Sequence, residues 1–262
     1  MEVVGAGASS IVCLVTPGRV AKLYRLDCQP FGHYEHEQRV YNVLGSHPRI
    51  LRYLGIWQGK TQEHSLFEYH PRGTLRQVLS SSRDSSSIPA DKWAQQFLEG
   101  LAYLHSRDVI HGDLSTNNAL VTDDDDIVLM DFAGSSLTGQ RPSTPSIYGS
   151  RNLRPTQNLF ICTIMDDLFA FGSVLYELYT RVPPYKEKTD EEVEKLYSQG
   201  IFPDVSAIPV GSIVLKCWLG GYEKVAAVLS DLRAAETAVP IGEETKGAFD
   251  VCSRSISNLH DS

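Results

Sequence analysis

Asp113 and Asn118 stand five positions apart, and Asp131 follows Asn118 by thirteen. Carboxylates and amides are hard oxygen donors suited to Mg²⁺, and a carboxylate can also orient a hydroxyl. The first two residues lie in His111-Gly112-Asp113-Leu114-Ser115-Thr116-Asn117-Asn118, and the third opens Asp131-Phe132-Ala133. Between them, Ala119-Leu120-Val121 and Ile127-Val128-Leu129 are two short apolar runs of the kind that pair as a hairpin. A loop followed by such a hairpin can aim all three side chains at one point. One oxygen would take or orient the proton of an attacking hydroxyl and two would hold a metal, which is the chemistry of phosphoryl transfer. Taken singly, each residue has a plainer use, since Asp and Asn commonly cap turns and end strands.

Further segments in a fixed order weigh against the plainer use. The loop resembles the catalytic loop H-R-D-L-x-x-x-N of the eukaryotic protein kinases, and Asp131-Phe132-Ala133 resembles their D-F-G, with Gly112 in place of arginine and Ala133 in place of glycine. The H-G-D-L-S form is similar to that of divergent kinases of filamentous fungi. The resemblance implies that Asp113 acts on the hydroxyl proton and that Asn118 and Asp131 hold Mg²⁺. Gly5-Ala6-Gly7-Ala8-Ser9-Ser10-Ile11-Val12 resembles the Gly-rich loop G-x-G-x-x-G-x-V, with Ser10 in the third glycine position. Gly5 and Gly7 would then let the backbone approach ATP phosphates, and Val12 would pack on the nucleotide.

Lys22 interrupts the apolar run Val20 to Tyr24, where a buried charge is costly unless an anion and a carboxylate meet it. The segment resembles V-A-I-K, with Val20 standing where the family has the alanine above adenine. The partner carboxylate would come from the next helix, expected over residues 31–44, where Glu37 shares a face with Tyr34, Tyr41 and Leu44 and Glu35 is the competing candidate. Leu66-Phe67-Glu68-Tyr69-His70 resembles the strand that enters the kinase hinge. By that resemblance Phe67 closes the pocket, Glu68 and His70 offer backbone groups to adenine, and Leu120 contributes to the same nucleotide site.

Several elements must position these groups. Residues 51–57 and 65–69 read as strands, and Lys92 to His105 as a helix with Trp93, Phe97, Leu101 and Leu104 on one face. Asp167-Leu168-Phe169-Ala170-Phe171-Gly172 opens an apolar helix that resembles the D-x-W-S-x-G floor of the kinase large lobe, whose aspartate anchors the catalytic loop. An N-cap role for Asp166 or Asp167 is the modest alternative. Pro183-Pro184-Tyr185, a helix over residues 191–197, Phe202-Pro203 and Lys216-Cys217-Trp218 are similar to the closing elements of that lobe. The expected fold is α+β and two-lobed: a small antiparallel β-sheet lobe with one helix (1–69), a hinge at 68–72, a larger mainly helical lobe (73–234), and a weakly ordered tail (235–262).

Composition bounds the partners. A formal charge of −8 argues against nucleic-acid and anionic-membrane binding, which call for basic patches. The apolar stretch 168–179 is short and broken by Gly172, Ser173 and Glu177, so no membrane span is expected. Five scattered cysteines without C-x-x-C spacing fit reduced thiols, and with no secretory leader before Gly5 the expectation is an intracellular, cytoplasmic monomer. Asp123 to Asp126 reads as a solvated hairpin turn, residues 80–87 as a polar loop, and the hydroxyl-rich stretch of Ser135, Ser136, Thr138, Ser143, Thr144, Ser146 and Tyr148 as a solvated loop.

Departures from the family pattern shape the functional expectation. Gly112 removes the arginine that in many kinases pairs with an activation-loop phosphate, so control by that phosphate is not expected. Ser115 stands where a lysine or arginine often neutralises the γ-phosphate, which implies slow turnover. Pro155-Thr156 corresponds to the end of A-P-E without its glutamate, and residues 218–224 offer no arginine partner, so the pair is absent as a whole. The leading reading is an ATP- and Mg²⁺-dependent kinase of protein serine or threonine hydroxyls. The alternatives are a pseudokinase acting as an interaction module and a small-molecule kinase of the aminoglycoside or choline type, whose loop is also similar to H-G-D-L.

Overall fold

The structure is a computed structural model that describes residues 1–7, 10–25, 32–60, 62–81, 88–137, 148–155 and 161–237. Five strands, β1 (Glu2–Ala6), β2 (Ser10–Thr16), β3 (Arg19–Tyr24), β4 (Tyr53–Gln58) and β5 (Glu63–Glu68), form an antiparallel sheet in the order β1-β2-β3-β5-β4. Side chains directly opposite one another in adjacent strands share a face. Val12 pairs with Lys22 and Lys22 with Ser65, while Leu14 pairs with Val20 and Val20 with Phe67. The register therefore places Lys22 in a row beside an apolar row, all on the face that α1 (His33–Leu44) and the second lobe cover.

The second lobe holds α2 (Leu75–Ser81), α3 (Ala90–Ser106), α4 (Ile164–Thr180), α5 (Asp190–Ser198), α6 (Gly211–Trp218) and α7 (Val225–Thr237). Two small strand pairs, β6 (Val109–Ile110) with β9 (Ser136–Leu137) and β7 (Ala119–Val121) with β8 (Ile127–Leu129), frame the loops between them. The expected α+β, two-lobed architecture is the one observed. α3 buries Trp93, Phe97, Leu101 and Leu104, the stripe its sequence announces. α4 is buried nearly all round and opens with a capping box in which Thr163 and Asp166 satisfy each other's backbone groups. Gly172 is required by packing, since a Cβ there would come within 2.8 Å of Cys217 on α6. Beside it, Trp218 Nε1 donates to Ser173 Oγ at 3.0 Å.

The lobes share one aromatic column. Tyr53 stacks on Tyr41 at 5.5 Å, Tyr41 meets Phe132 edge-on at 5.0 Å, and Phe132 lies 5.2 Å from His111. The chain between α1 and β4 also sits on β8, with Leu51 N donating to Leu129 O and Leu129 N to Arg49 O, both at 2.9 Å.

Three expectations need correction. Ser80 and Ser81 belong to the last turn of α2, where Ser80 Oγ returns a hydrogen bond to Arg76 O; residues 82–87 lie outside the described residues. The 123–126 turn is braced as well as solvated: Arg72 pairs with Asp125, Arg49 and Lys92 pair with Asp126, and Trp93 Nε1 donates to Asp125 O. Ser135, Ser136 and Tyr148 are buried, because β9 and the start of the next described segment pack against the loop above α4; Thr138, Ser143, Thr144 and Ser146 lie outside the described residues. α7 runs to Thr237, and the remainder of the proposed tail, 238–262, also lies outside them. Among the described residues no helix is long and apolar enough to cross a membrane.

Candidate active site

Lys22 is 7% exposed, and its ammonium meets Glu37 Oε1 at 2.9 Å and Asp131 Oδ1 at 2.7 Å. Burial works against the ammonium, but the Asp131 and Glu37 carboxylates outweigh it and raise the Lys22 pKa above the ordinary lysine value. Of the two candidate glutamates, Glu37 is buried and Glu35 exposed. Burial pushes the Glu37 carboxyl up to about 7, with the Lys22 ammonium and the Phe132 amide pulling the other way. That amide donates to Glu37 Oε1 at 3.1 Å, so the helix is tied to the turn after Asp131. A second tie lies one residue earlier. Burial lowers the His36 pKa and favours the neutral ring, whose Nε2 lies 2.7 Å from Ser135 O and donates to it.

Asp113 and Asn118 are adjacent, the Asn118 amide donating to both the carbonyl and Oδ2 of Asp113 at 2.7 Å. With its nitrogen engaged there, Asn118 keeps its amide oxygen for another partner. Burial, reinforced by the charge on Asp131, pushes the Asp113 carboxyl up to about 8. Asp131 itself is held below the ordinary carboxylate value: burial raises it, but the Lys22 ammonium outweighs burial. It occupies left-handed backbone at φ 62°, a costly conformation for a residue with a Cβ and one that re-aims its side chain toward Lys22. Lys22, Glu37 and Asp131 thus form one hydrogen-bonded group and Asp113 with Asn118 a second, near enough that the charges of Asp131 and Lys22 act on Asp113.

The floor of the site is Asp167, fully buried at the start of α4. Its carboxylate accepts from His111 N at 2.9 Å, Gly112 N at 3.3 Å, His105 Nε2 at 2.9 Å and the Tyr148 hydroxyl. Burial would raise its pKa, but the His105 hydrogen bond and charge prevail and lower it. The anchoring role expected of Asp167 is therefore visible as geometry, and the capping role belongs to its neighbour Asp166. His111, fully buried, accepts from Asp113 N at 3.3 Å and packs on Phe132. Gly112 has φ 76°, and a Cβ would come within 2.2 Å of Gly134 O. The loss of arginine at this position is thus matched by a backbone approach that only glycine permits.

Among the other residues singled out by the sequence, Val20 is buried, Val12 and Leu120 are half-buried, and Phe67 packs on Tyr41 at 5.0 Å and Tyr53 at 5.6 Å. The Glu68 amide is taken by Arg52 O, which narrows what Glu68 can offer a ligand to its carbonyl; His70 O accepts from Gly73 N. Gly5 and Gly7 have no neighbour nearer a Cβ than 3.5 Å, so the protein's own packing does not demand glycine there. Residues 8 and 9 between them and Ser10 lie outside the described residues. A separate hollow of about 650 Å³ touches Glu68, His70, Tyr53 and Asp124, but none of the five charged or amide groups above.

The segment before α4 carries an ion pair that the sequence does not announce. Arg154 Nε meets fully buried Asp166 at 2.6 Å, and Arg151 donates to Pro184 O, Tyr185 O and Lys188 O. Tyr24 is another residue the reading passed over: its hydroxyl donates to Glu37 Oε2.

The chain is similar to known protein kinases. Over 142 residues the chain is 32% identical to a probable serine/threonine-protein kinase of Dictyostelium discoideum, covering 53% of this chain and 29% of that protein. It is 36% identical over 162 residues to the human dual specificity testis-specific protein kinase 1 (58% and 26%), and 31% identical over 142 residues to the mitogen-activated protein kinase kinase kinase dlk-1 of Caenorhabditis briggsae (53% and 17%). These matches span less than a third of each relative. The protein kinase domain profile matches residues 2–211, from the glycine-bearing strand to the start of α6, and the chain accordingly belongs to the protein kinase domain family.

Proposed function

We propose that the chain transfers the γ-phosphoryl group of ATP to a serine or threonine hydroxyl of a protein, with Mg²⁺. The observation that carries this reading is the convergence of the Lys22–Glu37–Asp131 contacts with the Asp113–Asn118 pair. Lys22 would bind the α- and β-phosphates, Glu37 would hold Lys22 in place, and Asp113 would orient the acceptor hydroxyl and take its proton.

The donors present fit a magnesium nucleotide. Mg²⁺ uses one or two protein carboxylates together with phosphate oxygens and water, and Asp131 with the Asn118 amide oxygen supplies such a partial set. Bound metal would offset the charge that develops on the γ-phosphoryl group. Gly5 and Gly7 would allow phosphate oxygens to approach backbone, and Val12, Val20, Leu120 and Phe67 would enclose the base beside Glu68 and His70.

The test follows labelled γ-phosphate from ATP to the protein itself and to a generic basic polypeptide, in wild type, Asp113→Asn and Lys22→Met. Loss of about 100-fold or more in either variant is expected. Label insensitive to both substitutions would reject the assignment. ATP-dependent thermal stabilisation without transfer above the Asp113→Asn background would favour a pseudokinase, and transfer to free choline or an aminoglycoside alone would favour a small-molecule kinase.

A further inference from the structure

Lys22 and Tyr24 are two residues apart on β3, so their side chains leave the same face of the sheet. Tyr24 is 5% exposed, its ring meets Tyr34 edge-on at 5.6 Å, and the Lys22 ammonium lies 5.2 Å from the ring centre. Its hydroxyl donates to Oε2 of Glu37, while Oε1 takes the Lys22 ammonium at 2.9 Å and the Phe132 amide at 3.1 Å. The two oxygens thus face different donors, and rotating the carboxylate would break contacts on both sides at once.

We propose that Tyr24 is a positioning residue for phosphoryl transfer: its hydroxyl fixes the Glu37 carboxylate so that Oε1 stays on Lys22. The proposal rests on the protein-kinase reading of the cleft. A tyrosine suits the task because its hydroxyl sits at the end of a rigid arm with two torsions, both restricted here by packing on Tyr34. If α1 moved away from β3, the Lys22 ammonium and the Tyr24 hydroxyl would each lose an acceptor inside the protein, which opposes the movement. The device belongs to the sheet and helix themselves and draws on no group beyond residue 37 except the Phe132 amide.

Tyr24→Phe keeps the ring and its packing and removes the donor. The measurement is ATP affinity and the KM and kcat of transfer, with Mg²⁺, for the whole chain as wild type, Tyr24→Phe, Glu37→Gln and the double variant. Tyr24→Phe is expected to raise the ATP dissociation constant and KM about three- to tenfold, the scale of one buried hydrogen bond, with a smaller change in kcat. In the Glu37→Gln background the same substitution is expected to change ATP affinity by less than about twofold, since its effect runs through the carboxylate. Equal losses in both backgrounds would mean that the Tyr24 hydroxyl acts by a route other than the Glu37 carboxylate and would overturn the proposal. So would a lower melting temperature with unchanged ATP affinity. A wild-type chain that neither binds ATP nor transfers phosphate overturns the kinase reading together with this inference, whereas an active wild type with an unaffected Tyr24→Phe removes the inference alone.

Discussion

Lys22 and Glu37, on the sheet side of the cleft, are held by charge: a buried ammonium surrounded by two carboxylates, with two further donors on one of them. Asp113 and Asn118, on the helical side, are held by backbone, because the loop that carries them hangs from Asp167 through the amides of His111 and Gly112. The first arrangement depends on side chains whose partners can be exchanged, and the second on a conformation that few residues can adopt. One side of the cleft is thus fixed by side-chain charge and hydrogen bonds, the other by backbone geometry.

That contrast can be broken most severely at Asp167. Asp167→Ala would leave the donors of His105, His111, Gly112 and Tyr148 without their common acceptor. A loss of about 3–5 kcal/mol is expected, the scale of breaking a buried charge pair, read as a shift in the denaturant midpoint. A change under 1 kcal/mol (roughly the worth of one surface contact) would show that the loop does not hang from this carboxylate. Gly112→Ala tests the conformational part alone. Its Cβ would meet Gly134 O at 2.2 Å, and a cost of about 1–3 kcal/mol with a fall in transfer rate is expected; wild-type stability would mean that the loop has another resting conformation.

The smallest effect sharpens the electrostatic side away from the cleft. Partial burial raises the Asp126 pKa, but hydrogen bonds from Lys92, Gln96 and Arg49 prevail and hold it at about 2, below the ordinary aspartate value of 3.8. A depressed carboxylate stabilises the folded protein above its unfolded pKa, and this contribution is lost as pH falls through the folded one. Asp126→Asn should therefore melt below wild type at neutral pH, by under about 1 kcal/mol because the group is partly solvated, and the two curves should converge near pH 2. A difference that persists unchanged in acid would assign the effect to packing.

Much of this architecture can be read from the chain. Lys22 is legible because a lone charge in an apolar strand demands partners, and Glu37 because helical spacing separates it from exposed Glu35. The stripe on α3 and the apolar length of α4 announce themselves by periodicity. What escaped depends on contacts between segments far apart in sequence. Tyr24 is two residues beyond Lys22 and reads as one more strand aromatic until the sheet face and α1 are brought together. Arg154 and Asp166 are separated by a stretch with no periodicity, so nothing local says that an arginine in a loop answers an acid at a helix start. The buried Ser135, Ser136 and Tyr148 are polar residues whose partners lie in other elements, and composition alone makes such residues look solvated.

The central claim is that the two sides of the cleft form one phosphoryl-transfer site with separable duties. ATP titration of wild type, Lys22→Met and Asp113→Asn with Mg²⁺, followed by single-turnover transfer, tests it most directly. The account predicts that Lys22→Met weakens nucleotide binding at least about tenfold, while Asp113→Asn binds ATP within about threefold of wild type yet transfers at least about 100-fold more slowly. Equal ATP affinity and equal transfer in all three proteins would contradict it.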